Sequence, residues 1–205
     1  MENRVIFLVR HGKIELEDEQ RRYVGQIDLP LAAEGRKQAE NLGRRFEHAD
    51  LGAIYCSDLV RSLDTAEIIA RRARAQVVPR ADLREVSMGA WEGLAFREIA
   101  RRFPMEYKAR GEAIATFRVP GGESFADCSG RIVPAFREIA EESEENILVV
   151  GHAGANRLLL CHLLGMPLQN LFRLGQDYGC LNIIQRGSTG YQVRLINGRG
   201  RWGRR

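Results

Sequence analysis

No apolar run in this 205-residue chain approaches the roughly 20 residues that cross a bilayer, so the pattern excludes a helical membrane span. Cysteine is scarce and scattered: Cys56, Cys128, Cys161 and Cys180 form no C-x-x-C pair. A chain of this length buries enough core to need no disulfide staples, and thiols so placed read as reduced side chains of a cytoplasmic protein. Met1 to Arg4 lead directly into a strand, without the long apolar region and small-residue cleavage site of a secretory signal, so export is not expected. Lysine is nearly missing, with Lys13, Lys37 and Lys108 alone, and the cationic side is almost all arginine. The formal charge of +4 is modest and diffuse, which argues against nucleic acid as a partner. Its one dense cluster, "RGRWGRR" at 199–205, reads as a solvated basic tail. There is no G-x-x-x-x-G-K-[ST] loop, no H-E-x-x-H and no strand-end D-x-D, and His152 and His162 are too far apart in sequence to share a metal. A metal-free, cofactor-free site is therefore expected.

What the chain does have is alternation. Apolar period and punctuation predict strand 4–9, helix 31–47, strand 52–56, helix 58–73, strand 76–79, helices 94–103 and 124–142, strand 146–150, helix 153–164, and strands near 180–186 and 191–196. Strands alternating with helices predict an α/β fold, a three-layer α/β/α sandwich around a mainly parallel sheet. "GSTG" at 187–190 signals a closing antiparallel hairpin. The stretch from Arg84 to Gly122, with Pro104, Gly111 and Pro120, is the least regular; residues 86–122 read as a small helical lid inserted in a single domain spanning 1–198.

Two strand ends echo each other. "VIFLVRHG" (5–12) and "ILVVGHAG" (147–154) each run from an apolar strand into a histidine flanked by glycine. The carboxyl ends of parallel strands share one edge, where ligands of open α/β sheets bind, so His11 and His152 are expected in one pocket. Taken singly, each is as well explained as a hydrogen-bonded structural histidine. The residues after Gly151 open a helix whose free N–H groups favour an anion, and Arg10 adds a planar fork suited to phosphate oxygens. A third strand end carries "IYCSDLVRSLDTAEIIA" (54–70), with a Ser57/Asp58 cap and Arg61 in the first turn; pairing of Arg61 with Asp58 or Asp64 on a solvated helix is the competing reading. A thiolate phosphatase loop is excluded, because Cys56 and Arg61 stand one residue too close together.

Taken in order, "LVRHG", "SDLVRSLDTA", "LREVSMGAWEG", "GGES" and "VVGHAG" resemble the histidine phosphatase (phosphoglycerate mutase-like) superfamily from residue 5 to about 186. The resemblance implies that His11 is a nucleophile forming a phosphohistidine, that Arg10, Arg61 and His152 bind phosphate, and that Glu85 is the general acid and then base. Without it, Glu85 reads equally well as an exposed partner of Arg84. Tyr23 and Gln26 fall in the family's mouth loop and are candidate substrate contacts; a packed aromatic and a turn amide are equally compatible with them. Trp91 reads as a packing anchor, and Gly121 to Ser124 as a turn and helix start.

The residues following R-H-G depart from the mutase pattern. Lys13-Ile14-Glu15 replace the acidic or amide residue and the hydroxyl that help hold phosphate there, and the segment between Glu85 and Ser124 is short. Both departures favour water as the acceptor. The implied activity is hydrolysis of a small phosphorylated metabolite, with phosphoglycerate mutation as the alternative. "RRYVGQIDLPL" and the chain length are most similar to α-ribazole phosphatases and their broad-specificity relatives, while Lys13 suggests a second anionic group on the substrate. Neither nucleic acid nor a membrane is expected as a partner, and a homodimer is compatible with the sequence.

Overall fold

A computed structural model describes residues 4–199 except 17, 19 and 189. The strands are β1 (Arg4–Arg10), β2 (Ala53–Cys56), β3 (Gln76–Pro79), β4 (Ile147–Gly151), β5 (Leu181–Gly187) and β6 (Gly190–Gly198). They form one sheet in the order β3-β2-β4-β1-β5-β6. The first four run parallel, and β5 and β6 close the sheet antiparallel, which is the mixed arrangement the alternation predicts. Gly187 pairs with Gly190 where β5 meets β6, and Thr189 of the expected "GSTG" turn lies outside the described residues.

The two-residue side-chain period divides the sheet between two cores. From β1 and β4, Ile6, Leu8, Ile147 and Val149 face a cluster shared with Phe136 and Ile139 of α5 (Phe125–Glu142) and Leu158 and Leu159 of α6 (Ala153–Leu163). Val9, Leu148 and Val150 face the other way, toward Leu42 and Phe46 of α1 (Ala33–Phe46) and Ala66 and Ile69 of α2 (Val60–Ala73). Because β4 is buried at every position, it reads as a continuous apolar run. The helices cover both faces of the sheet.

Two local features differ from the sequence reading. The first is a helix, Pro104–Glu112, that follows helix Phe96–Arg102 in the stretch expected to be irregular. Pro104 stands at its first turn, where the missing N–H costs nothing, so it starts a helix within the stretch expected to form a helical lid. No side chain of this second helix is buried. The second is the start of α2. Ser57 and Asp58 do not cap it; Leu59 is the N-cap residue and makes no side-chain cap bond. The Val60 N–H donates instead to Asp28 Oδ1 at 2.7 Å, from the loop after β1. Asp58 is drawn off by a bidentate pair with Arg84, at 2.6 and 2.5 Å. A carboxylate supplied by a distant loop does the work of a local cap, and it fastens that loop to the helix carrying Arg61.

The chain leaving β1 lies tightly on α1. A Cβ built on Gly12 would collide with the Gly35 backbone, and one built on Gly35 with the Lys13 backbone. The Ala32 N–H donates to the Lys13 carbonyl at 2.9 Å across the same contact. Gly35→Ala therefore has to push α1 away from the residues that follow His11. Overpacking of this kind costs about 1–3 kcal/mol, and urea denaturation with a midpoint lowered to match is the expected outcome.

Candidate functional site

The parallel strands bring three chain segments to one edge. β1 ends in Arg10 and His11, β4 ends in Gly151 and His152, and β2 leads through Ser57 into α2 and Arg61. The His11 N–H donates to the Gly151 carbonyl at 3.1 Å, so the two histidine-bearing ends are tied together by backbone. Their imidazole rings lie 5.0 Å apart. Ser62 Oγ donates to the Val150 carbonyl at 2.8 Å, which fixes α2 against the same strand end. The Thr65 hydroxyl donates to the Arg61 carbonyl at 2.7 Å and accepts the Gly12 N–H at 3.2 Å.

His11 is 4% exposed, and its Nδ1 is 2.8 Å from the Gly12 carbonyl oxygen. A carbonyl can only accept, so Nδ1 carries the proton and Nε2 of the neutral ring keeps its lone pair. Burial lowers the His11 pKa well below 6.5, and the Arg10 and Arg61 charges lower it further. His152 is lowered in the same way, by burial first and then by Arg61, His11 and Arg10. Its Nε2 meets Ser57 Oγ at 2.6 Å, while its Nδ1 is buried without a partner.

Both arginines are held by carbonyls. Arg61 is 1% exposed and donates to the Ile27 and Gly25 carbonyls, each at 2.6 Å. Neither the solvated helical arginine nor its pairing with Asp58 or Asp64 is present. Arg10 donates from Nη1 to the Gln176 carbonyl at 2.7 Å and lies over the Tyr178 ring at 3.7 Å. Its Nε is buried without a partner. Carbonyl oxygens satisfy N–H groups without cancelling charge, so the pocket keeps its cationic field.

Glu85 approaches from the side. Its carboxylate accepts the Gly154 and Ala155 N–H groups at 3.0 and 2.9 Å, at the N-terminus of α6, and the Val86 N–H at 3.0 Å. It is Asp58, not Glu85, that pairs with Arg84. The Glu85 backbone is clamped by Gln26, whose Nε2 donates to its carbonyl at 2.9 Å, and by Arg131. Arg131 donates to the Asp82 and Arg84 carbonyls at 2.8 and 3.2 Å and forms two bonds to Glu123, at 3.0 and 2.9 Å.

Arg10, His11, Arg61, Glu85 and His152 thus converge, whereas the three candidate substrate contacts, Lys13, Tyr23 and Gln26, are differently placed. Lys13 pairs with Glu34 at 2.7 Å, with about half of its side chain exposed. Tyr23 is buried against Trp91 and Phe96, with its ring stacked 4.2 Å from the latter. Trp91 itself is 1% exposed, as expected of an anchor. Gln26 supports Glu85 from behind. Sequence reasoning did not find Tyr178, whose ring lies 5.6 Å from that of His11, or Ser57 as the partner of His152, or Arg131. Ser57 was visible only as a cap, and Tyr178 only as part of "QDYGC" before β5. Among the described residues no group of three or more His, Cys, Asp or Glu side chains is placed to hold a metal ion, and no helix is long and apolar enough to cross a membrane. Burial pushes the Cys56 thiol up to about 12, far from a thiolate nucleophile.

Known proteins resemble this chain over most of its length. The adenosylcobalamin/α-ribazole phosphatase of Escherichia coli is 29% identical over 95% of this chain and 96% of its own. Phosphoserine phosphatase 1 of Hydrogenobacter thermophilus is 29% identical over 87% of this chain and 85% of its own. The crystal structure of the α-ribazole phosphatase from Shigella flexneri superposes with a TM-score of 0.88 at 27% identity, covering 98% of this chain and 100% of that one. A family model for the histidine phosphatase superfamily (branch 1) matches residues 6–199, and this chain belongs to that superfamily.

Proposed function

We propose that the chain is a metal-independent phosphomonoesterase that hydrolyses a small phosphorylated metabolite through a phosphohistidine at His11. The observation that carries this reading is the Nδ1–H bond from His11 to the Gly12 carbonyl, which leaves a nucleophilic Nε2 inside a buried cationic pocket. In the first step Nε2 attacks phosphorus, the P–O ester bond breaks, and Glu85 delivers a proton to the departing oxygen. In the second step Glu85 takes a proton from water, which attacks phosphorus, and the P–N bond breaks to release inorganic phosphate and neutral His11. Arg10, Arg61 and His152 bind the equatorial oxygens; the unpartnered Arg10 Nε and His152 Nδ1 supply donors that nothing in the protein satisfies.

The phosphatase relatives support water as the acceptor, and their names set the order of a substrate panel. α-Ribazole 5′-phosphate comes first and phosphoserine second, followed by sugar phosphates and 3-phosphoglycerate. Inorganic phosphate rather than 2-phosphoglycerate is the expected product of the last. Four free, buried cysteines support a cytoplasmic location.

His11→Ala is expected to lower p-nitrophenyl phosphate hydrolysis by about a thousandfold or more. Rapid acid-free quenching of the native enzyme with a ³²P-labelled substrate should trap protein-bound phosphate that this variant lacks; equal labelling of the variant would refute the nucleophile.

Glu85→Gln should separate substrates by leaving group. Hydrolysis of an alkyl phosphate is expected to fall by about a hundredfold, the lower end of general acid–base contributions, and that of p-nitrophenyl phosphate, whose phenolate leaves unaided, by much less. Equal losses on both would remove Glu85 from proton transfer.

The depressed histidines predict the sign of a pH effect. In the unfolded chain His11 and His152 titrate near 6.5, and in the folded protein well below it, so the unfolded state binds more protons once the pH drops below about 6.5. Stability is therefore expected to fall as pH falls through that window. NMR titration of the free enzyme should show both rings still neutral at pH 6.5; a His11 midpoint at or above that value contradicts the assignment.

A further inference from the structure

The turn before β5 is built around the first two pocket residues. The Cys180 N–H donates to the Asp177 carbonyl at 3.1 Å, and Gly179, at φ +65°, occupies the turn position that requires a left-handed residue. Its backbone is fastened to the end of β1 at three points. The Gly179 N–H donates to the His11 carbonyl at 3.1 Å, the Arg10 N–H to the Cys180 carbonyl at 3.2 Å, and Arg10 Nη1 to the Gln176 carbonyl at 2.7 Å. Side-chain amides, two of them buried, brace the turn. Gln176 Nε2 donates to Asn182 Oδ1 at 2.7 Å, Asn182 Nδ2 donates to the Leu8 carbonyl at 2.9 Å, and the Asp177 N–H donates to Asn197 Oδ1 at 2.8 Å. Tyr178 sits at the tip of this frame. Its ring lies 3.7 Å below the Arg10 guanidinium carbon and 5.6 Å from the His11 ring, and its phenol is within electrostatic reach of Arg61.

A guanidinium has freedom about several bonds, and one carbonyl acceptor at Nη1 does not define its plane. The Tyr178 ring face, 3.7 Å from the guanidinium carbon, adds the second restraint. Stacking consumes no N–H, so Arg10 stays free to donate from Nε, the atom that is buried and unsatisfied. We propose that Tyr178 is a positioning residue that, through its ring, holds the Arg10 guanidinium in the plane that aims Nε at the phosphoryl group. The inference rests on the phosphatase reading above, because it assigns Arg10 to phosphate. It goes beyond that reading by naming a side chain that sets the affinity of the pocket without belonging to its cationic set.

The test is a double-variant cycle read by calorimetric binding of inorganic phosphate, which needs no turnover. Tyr178→Ala is expected to weaken phosphate binding about tenfold, the scale of a partly desolvated cation–π contact. Tyr178→Phe should recover most of that loss, because the ring remains. In an Arg10→Ala background Tyr178→Ala should add less than about twofold, since the group it positions is gone. With p-nitrophenyl phosphate the same loss should appear in KM more than in kcat. Two results would overturn the inference: a Phe variant as weak as the Ala variant, which makes the hydroxyl the active part, or an undiminished tenfold loss on top of Arg10→Ala. A native protein that binds no phosphate at all would instead sink the functional proposal itself, so the two failures are distinct. Thermal denaturation of each variant identifies any loss of binding caused by unfolding.

Discussion

Everything at the candidate site follows from one constraint: two arginines are buried there with carbonyl oxygens, not carboxylates, as their hydrogen-bond partners. Arg61 is as buried as a core leucine, yet its fork is taken up by the carbonyls of Gly25 and Ile27. Arg10 is held by the Gln176 carbonyl and a tyrosine face. A carboxylate in either place would stabilise the apo protein and fill the pocket with its own counter-ion. Carbonyls meet the hydrogen-bonding demand and leave the field intact, and that field, together with burial, keeps both histidines neutral. On the proposed function, one electrostatic arrangement serves anion attraction and a neutral nucleophile together, at the expense of native stability.

That constraint explains which parts of the site could be read from the sequence. Residues at strand ends were legible because a parallel sheet sends all of its carboxyl ends to one edge, so Arg10, His11 and His152 needed only correct strands, and Arg61 only a helix starting just past one. The mainly parallel sheet and its closing antiparallel pair were legible from the same pattern, but the order of the strands was not. Glu85 was not legible in this way. It lies on irregular chain, where no period places a side chain, and only the resemblance to a family singled it out. Its position depends on Arg131 and Gln26 gripping backbone carbonyls from remote parts of the chain, and such contacts leave no local signature.

Side chains with two eligible partners were the other source of error. Ser57 and Asp58 have the composition of an N-cap, and local propensity assigned them to α2. Tertiary partners outcompeted it: a buried imidazole took the serine, and a bidentate arginine took the aspartate. The helix end was then capped by Asp28, from a loop whose carbonyls also hold Arg61. Tyr23 illustrates the converse. Its place in the mouth loop suggested a substrate contact, but its ring is worth more stacked on Phe96 and against Trp91 than exposed to solvent.

The division of labour between rigid and exposed parts bears on tolerance to substitution. His152 is the N-cap residue of α6, and the Gly154 and Ala155 N–H groups hold the Glu85 carboxylate, so the two side chains share one helix end. Their relative position is set by a single element packed in the main core. The helix Pro104–Glu112, by contrast, buries no side chain and lies in the stretch between Glu85 and Ser124. Substitutions there are not opposed by core packing, whereas those around α6 are. The exposed stretch can therefore accept substitutions that leave the packing around α6, and with it the relative position of His152 and Glu85, unchanged.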